Sequence, residues 1–193
     1  MNKYEYHRIG RLAEQLEIAG IDREKIDRIM EGGQDILRKT SPEKKADWMR
    51  DAMLKMNELL DNKTCTVVRE GCACCLGGQR LKLVRAIAAD NGSLEDRVKA
   101  CNESKMLFGN SVTLMESGDI MVRYFPEGLD RYQCVCLRKA EKPVSFTYCY
   151  CGGGHVKHHL QTALGCNLEC TVLSSALSSG GKKPCTFLFK IVP

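Results

Sequence analysis

The chain has 193 residues, of which 44% are hydrophobic and 27% are charged. These values are typical of an ordinary folded protein, and they argue against both a disordered chain and a membrane-spanning one. The formal net charge of +5 is spread over segments that also carry acids, and only 6% of the residues are aromatic. We therefore expect neither a nucleic-acid partner nor a membrane partner.

The twelve cysteines are the most unusual feature of the composition. The first residues contain no apolar run of the kind that a signal peptide needs, so we expect a cytoplasmic protein. In a reducing compartment a cysteine-rich sequence indicates metal binding or thiol chemistry rather than a disulfide framework.

The first sixty residues have helical periodicity. Apolar residues recur at three- and four-residue spacing over residues 4–20, and a second helical pattern follows that Gly32-Gly33 weakens. Ser41-Pro42-Glu43 is a helix N-terminal signal for a third helix. We predict a helical region over residues 1–62, followed by a cysteine-rich α+β domain over residues 63–193.

In the second part of the chain the periodicity changes from helical to alternating near residue 110. The predicted elements are helices over 79–89 and 93–101, a hairpin around Glu116-Ser117-Gly118-Asp119, a second hairpin pairing Tyr132–Leu137 with Val144–Tyr150, a helix over 155–164, and strands over 169–173 and 185–192. This order predicts an α+β fold in which a mainly antiparallel sheet carries the helices packed on it.

Two Cys-x-Cys pairs fall in the second predicted hairpin, namely Cys134 with Cys136 and Cys149 with Cys151. Residues i and i+2 of a strand share a face, and directly opposed Cβ atoms lie ~4.5–5.5 Å apart. If Cys136 pairs with Cys149, four sulfurs converge on one ion. We expect zinc there, with an iron–sulfur cluster as the alternative cofactor. The competing interpretation is that these cysteines are small buried packing residues.

A second group, Cys72, Cys74 and Cys75, precedes a predicted helix N-terminus. The helix dipole and the free amides there lower the pKa of a thiol, which favours a reactive or redox-active cysteine. The same residues could complete a metal site with a hairpin cysteine or with Cys185. A purely structural role is the remaining alternative.

Gly152, Gly153 and Gly154 lie between the predicted strand and the predicted helix. A glycine turn at such a place exposes amides that can bind an anionic ligand. His155 and His159 then flank the buried face of the helix, which makes them candidates for general acid/base catalysis. The alternative for both histidines is an ordinary position at the boundary of the core.

The C-terminal half resembles a known family over roughly residues 110–193. The motifs that carry the resemblance are Cys149-Tyr150-Cys151-Gly152-Gly153-Gly154-His155, a helix ending Ala163-Leu164-Gly165, Val172-Leu173-Ser174-Ser175, Gly180-Gly181 and Cys185-Thr186-Phe187-Leu188-Phe189. They resemble the 4-vinyl-reductase-type domain, in particular its L-2-amino-thiazoline-4-carboxylate hydrolase-like branch. The resemblance implies an α+β small-molecule-binding domain whose cysteines can hold a metal, with Cys149, Cys151 and Cys185 at the family's cysteine positions.

Together these patterns predict a cytoplasmic protein that binds a small molecule beside a cysteine-ligated metal, most simply zinc. One alternative is a metal-dependent hydrolase of a small thiazoline or amide substrate, with His155 or His159 as proton shuttle. Another is a thiol redox sensor in which Cys72, Cys74 or Cys75 is oxidised and the metal is released. For partners we expect a small-molecule ligand, and we allow for a homodimer.

Overall fold

A computed structural model describes residues 4–193. These residues form eight α-helices and one four-stranded antiparallel sheet, so the predicted α+β class is confirmed. The helices are α1 (His7–Ile18), α2 (Arg23–Met30), α3 (Pro42–Leu59), α4 (Asn62–Gly71), α5 (Gly78–Asp90), α6 (Leu94–Glu103), α7 (Lys105–Phe108) and α8 (Phe146–Leu164). The strands are β1 (Ser111–Leu114), β2 (Ile120–Arg123), β3 (Asn167–Ser174) and β4 (Thr186–Val192).

Capping side chains fix where several helices begin. The Ser41 hydroxyl accepts a hydrogen bond from the Lys44 amide (3.3 Å), and Pro42 occupies the first helical position, as predicted. Helix α4 was not predicted, although Asp61 is a favourable N-cap residue whose carboxylate accepts from the Thr64 amide at 2.9 Å. The signal for α4 in the sequence was therefore its capping residue and not a periodic pattern of apolar residues.

The sheet has the strand order β1-β2-β4-β3. The predicted first hairpin is confirmed, with Val112 opposite Val122 and Leu114 opposite Ile120. The two last strands pair with each other, and β4 also pairs with β2. The C-terminal strand β4 therefore lies inside the sheet, between β2 and β3. Its start pairs with the end of β2, so residue 185 lies next to that end.

The second predicted hairpin is wrong. Tyr132–Leu137 lies in a loop, and the segment 146–151 forms the first turns of α8. The alternation of aromatic and β-branched residues suggested a strand, but the Ser145 hydroxyl caps a helix by accepting from the Thr147 amide at 3.2 Å. The buried residues of this helix include a stripe at three- and four-residue spacing: Cys149, Gly153, Val156, Leu160 and Ala163.

The predicted glycine turn is also wrong, because all three glycines lie inside α8. A Cβ built on Gly154 would lie 2.5 Å from the backbone oxygen of Glu70 in α4, and one on Gly153 would lie 2.6 Å from the sulfur of Cys170 in β3. Glycine thus lets α8 pack closely against a helix on one side and the sheet on the other. No anion cradle of the predicted kind is formed, since these amides belong to the helix.

The buried hydrophobic residues form two clusters. One joins α1–α4 to Tyr148 and Cys149 in the first turn of α8. The other joins α5–α7 and the sheet to the later turns of α8. Helix α8 therefore contributes to both cores. The predicted division between residues 62 and 63 falls within the first turn of α4, and the independence of the two parts stays a prediction.

Candidate thiol-lined binding site

A cavity of about 290 Å³ lies between the N-terminal half of α8, the loop before α5, the end of β2 and the loop that follows it. Its wall is mostly apolar, with Tyr124, Tyr148 and Phe187 among the lining residues. Seven of the twelve cysteines also line it: Cys74, Cys75, Cys134, Cys136, Cys149, Cys151 and Cys185. The fold thus gathers most of the cysteines that the sequence singles out, by a route different from the predicted hairpin.

Cys149 and Cys151 do not share a face, because residues two apart on a helix are rotated by roughly 200°. The sulfur of Cys149 lies 2.9 Å from the hydroxyl of Ser175. The thiol of Cys151 instead donates to the carbonyl of Cys72 at 3.8 Å. The predicted placement of these two thiols on one face of a strand is therefore wrong, although both residues line the cavity.

Ser175 connects two of the thiols. Burial raises the pKa of Cys149 to about 12, although the hydrogen bond to Ser175 opposes the rise. Ser175 also hydrogen-bonds Cys185, whose sulfur accepts the Ala176 amide at 3.4 Å. Burial raises the pKa of Cys185 as well. Both groups are therefore neutral thiols near pH 7 unless a cation displaces the proton.

Cys134 and Cys136 lie in the loop between β2 and α8. The sulfur of Cys134 accepts the Cys136 amide at 3.4 Å, and the backbone of Leu137 also hydrogen-bonds it. Such N–H···S bonds favour a thiolate, but burial outweighs them and raises the pKa of Cys134. Burial likewise raises the pKa of Cys136 to about 11.

The two histidines hold the loop that precedes α5. Nδ1 of His155 lies 2.8 Å from the carbonyl oxygen of Cys74, and Nε2 of His159 lies 3.3 Å from that of Cys75. A carbonyl only accepts, so each of these nitrogens carries the hydrogen. Burial lowers the pKa of His155. The pKa of His159 is lowered to about 4, mainly by burial and to a smaller extent by the nearby His155. Both rings are neutral at pH 7.

His155 lines the cavity, whereas His159 is fully buried and does not. With its hydrogen on Nδ1, His155 keeps Nε2 as an acceptor. His159 has an unpartnered Nδ1 among the atoms of residues 4–193. A role in acid/base catalysis stays a prediction for both, and the contacts seen are those of residues that position a loop.

Two arginines that sequence reasoning missed lie next to the thiols. Within residues 4–193, Nε of Arg80 and Nε of Arg69 are buried without a hydrogen-bond partner. Arg80 lines the cavity. Arg69 is only 2% exposed, stacks 4.8 Å from the centre of the Tyr148 ring and donates to the Tyr148 carbonyl at 3.2 Å. Their position in ordinary helical sequence gives no signal of burial, and Ser175 was missed because serine-rich turns are common.

Within residues 4–193, no three His, Cys, Asp or Glu side chains are arranged so that they could hold a metal ion as they stand. Metal binding would require thiol side chains to rotate towards a common point. In the same residues no helix is both long and apolar enough to cross a membrane.

The fold and the cavity define an α+β protein with a cysteine-rich internal site. The chain belongs to DUF6144, a family of unknown function, whose sequence model matches residues 16–193. No curated protein and no solved structure matches the chain.

Proposed function

We propose that this protein binds a small molecule with an apolar body and an acidic group in the thiol-lined cavity. The observation that carries the proposal is the unpartnered Nε of Arg80, buried in a wall that is otherwise mostly apolar. A buried guanidinium N–H without an acceptor is costly, and a carboxylate or another oxyanion is the acceptor it favours. A ligand that supplied the acceptor, once the Arg80 side chain had rotated to present this N–H to the cavity, would remove the cost.

The cavity volume limits the size of the ligand. About 290 Å³ is at the small end of the ~300–1,000 Å³ typical of ligand pockets. The helix, strand, Gly180-Gly181 turn and Cys-x-Phe strand of the 4-vinyl-reductase-type resemblance occur in this order, although its glycine-bearing strand–helix turn is replaced by a continuous helix. The part of the resemblance that remains supports small-molecule binding. All twelve cysteines are free thiols, which supports a cytoplasmic location.

The test compares Arg80→Met with Arg85→Met. Both residues lie on α5, but Arg85 is exposed and does not line the cavity. Binding of a panel of small aromatic and aliphatic carboxylic acids would be followed by thermal shift and then by calorimetry. For any acid that binds, we expect Arg80→Met to weaken binding at least ~10-fold, since a charge-assisted hydrogen bond contributes ~1.5–3 kcal/mol. Equal affinity in the two variants would contradict the proposal.

Zinc binding by some of the same cysteines is a second candidate. It is supported by the backbone amides that donate to the sulfurs of Cys134 and Cys185, because N–H···S bonds stabilise thiolates. Thiolate sulfurs are ligands that suit a soft metal ion. A bound cation deprotonates its thiol ligands even when their pKa is high in the absence of the metal. Cys149, next to both in the cavity wall, would be the third ligand. Zinc with an open coordination position would supply an activated water, which is the basis of the hydrolase alternative.

Metal analysis of the purified chain tests this second candidate. We expect about one zinc per chain, lost in Cys149→Ser and Cys185→Ser and retained in Cys166→Ser, whose side chain does not line the cavity. Iron and sulfide with visible absorption would favour the iron–sulfur cluster instead. A folded, metal-free wild-type protein that takes up no zinc would exclude this candidate and leave the first untouched.

A further inference from the structure

Cys74 and Cys75 are adjacent thiols at the edge of the cavity, in the loop between α4 and α5. Their sulfurs lie 3.8 Å apart. Cys75 is exposed, and Cys74 is half-buried. An accessible thiol thus has a second thiol beside it, already close to contact distance.

The backbone of this dipeptide has an uncommon conformation. Cys75 has φ +62°, and it is the single non-glycine residue with positive φ in residues 4–193. The carbonyl oxygens of Cys74 and Cys75 accept hydrogen bonds from His155 and His159, both on α8. Two ring N–H groups from one rigid helix therefore hold both peptide groups of the pair in place.

We propose that Cys74 and Cys75 form a reversible vicinal disulfide by exchange with a low-molecular-weight disulfide such as glutathione disulfide. The exposed sulfur of Cys75 attacks the external disulfide, and one thiol is released as the mixed disulfide forms. The sulfur of Cys74 then attacks the sulfur of Cys75 and releases the second thiol. One external disulfide is reduced to two thiols, and the two cysteines lose two hydrogens in total.

The geometry favours this pairing over the more distant cysteines of the cavity. Closing the ring brings the two sulfurs from 3.8 Å to ~2.05 Å, a change that side-chain rotation can supply. Adjacent Cα atoms across a trans peptide are ~3.8 Å apart, below the ~4.4–6.8 Å of most disulfides. A disulfide formed under this constraint is strained and easily reduced, as a reversible modification requires. The proposal goes beyond ligand binding and does not depend on it.

The experiment uses the full-length protein, reduced, freed of reductant and incubated with glutathione disulfide. Free thiols are then blocked with iodoacetamide, and tryptic peptides are analysed by mass spectrometry. Trypsin cleaves after Arg69 and Arg80, so Cys72, Cys74 and Cys75 lie in one peptide. We expect this peptide to carry one alkylation, which fragmentation places on Cys72. Apart from that group, its mass should be two hydrogens below that of the reduced peptide. Dithiothreitol should restore three alkylations.

Matched variants separate this pair from its neighbours. Cys74→Ser and Cys75→Ser should each abolish the internal disulfide, whereas Cys72→Ser should retain it. Alkylation of both Cys74 and Cys75 in the wild-type protein after this treatment would overturn the proposal. A crosslink to the peptide that carries Cys136 or Cys151 would also overturn it. The wild-type map decides the question even if a variant fails to fold.

Discussion

At the scale of single residues, His159 shows how a buried imidazole is held in one charge state. Its Nε2–H donates to the Cys75 carbonyl, and Nδ1 has no partner within residues 4–193. Protonation would add a second buried N–H with no acceptor, close to His155, His158 and Arg80. Burial and these neighbours lower the pKa of His159 to about 4.

This lowered pKa predicts acid sensitivity. An unfolded histidine has a pKa near ~6.5, so between pH 6.5 and 4 the unfolded chain binds more protons than the folded one. The contribution of His159 to stability is complete above pH 6.5 and is lost as the pH falls towards 4. Its upper limit is about 3 kcal/mol, from 1.36 kcal/mol per pKa unit.

Urea unfolding at pH 7 and at pH 4.5 measures this effect. His159→Asn retains an N–H donor but cannot titrate, so its free energy of unfolding should depend less on pH than that of the wild type. His7→Asn, which changes an exposed histidine on α1, should leave the wild-type dependence unchanged. A His159→Asn variant as acid-sensitive as the wild type would show that other groups carry the effect.

At the scale of elements, α8 is positioned by its glycines, and two of them should respond oppositely to alanine. A Cβ on Gly154 would lie 2.5 Å from backbone atoms of α4, which cannot move aside cheaply. A Cβ on Gly152 would meet only the Phe187 ring at 3.5 Å, an ordinary contact. Alanine also favours a helix over glycine by up to ~1 kcal/mol.

We therefore expect Gly154→Ala to lower the free energy of unfolding by about 1–3 kcal/mol, the usual cost of overpacking. Gly152→Ala should leave it unchanged or raise it by up to ~1 kcal/mol. Thermal or urea unfolding of the two variants, side by side, measures the difference. Equal effects of the two substitutions would mean that the close approach of α8 to α4 does not govern stability.

Local signals predicted α3 and the first hairpin, although the local N-cap of α4 was missed, and the prediction failed at the start of α8, where the contacts that explain the sequence are tertiary. Ser41 and Pro42 mark the start of α3 without reference to the rest of the chain, and the β1–β2 hairpin follows from alternation around Gly118. The glycines at positions 152–154 suggested a break in the sequence pattern. The close contacts that require them come from α4 and the sheet, which the local sequence does not reveal. Seven of the cysteines that the sequence singles out line one cavity, although the sequence placed them in two separate groups. Their arrangement depends on helix α8, and their role as a site stays a prediction.

At the scale of the whole molecule, the N-terminal helices contact two of the segments that line the site. The Asn57 side chain on α3 hydrogen-bonds Ser145 at 2.9 Å and Thr147 at 2.6 Å, at the start of α8. Arg8 on α1 donates to the carbonyl of Cys136 in the loop that lines the cavity. The positions of α8 and of the loop that carries Cys136, which both line the cavity, thus depend on contacts with α1 and α3.

The predicted domain over residues 63–193 can be tested by expressing that segment alone. Residues of α4 such as Cys65 and Val68, together with Tyr148 of α8, share a buried cluster with α1–α3 and would become exposed. An apolar side chain gains ~1.5–3 kcal/mol on burial, so exposure of several removes much of the ~5–15 kcal/mol that stabilises a domain. We expect helical circular dichroism without a cooperative thermal transition, and binding of a hydrophobic dye.

Asn57→Ala in the full chain, which removes two hydrogen bonds and leaves the cluster covered, should unfold cooperatively at a lower temperature. Cooperative unfolding of the segment itself would show that residues 63–193 are an independent domain, with the N-terminal helices as an addition to its surface.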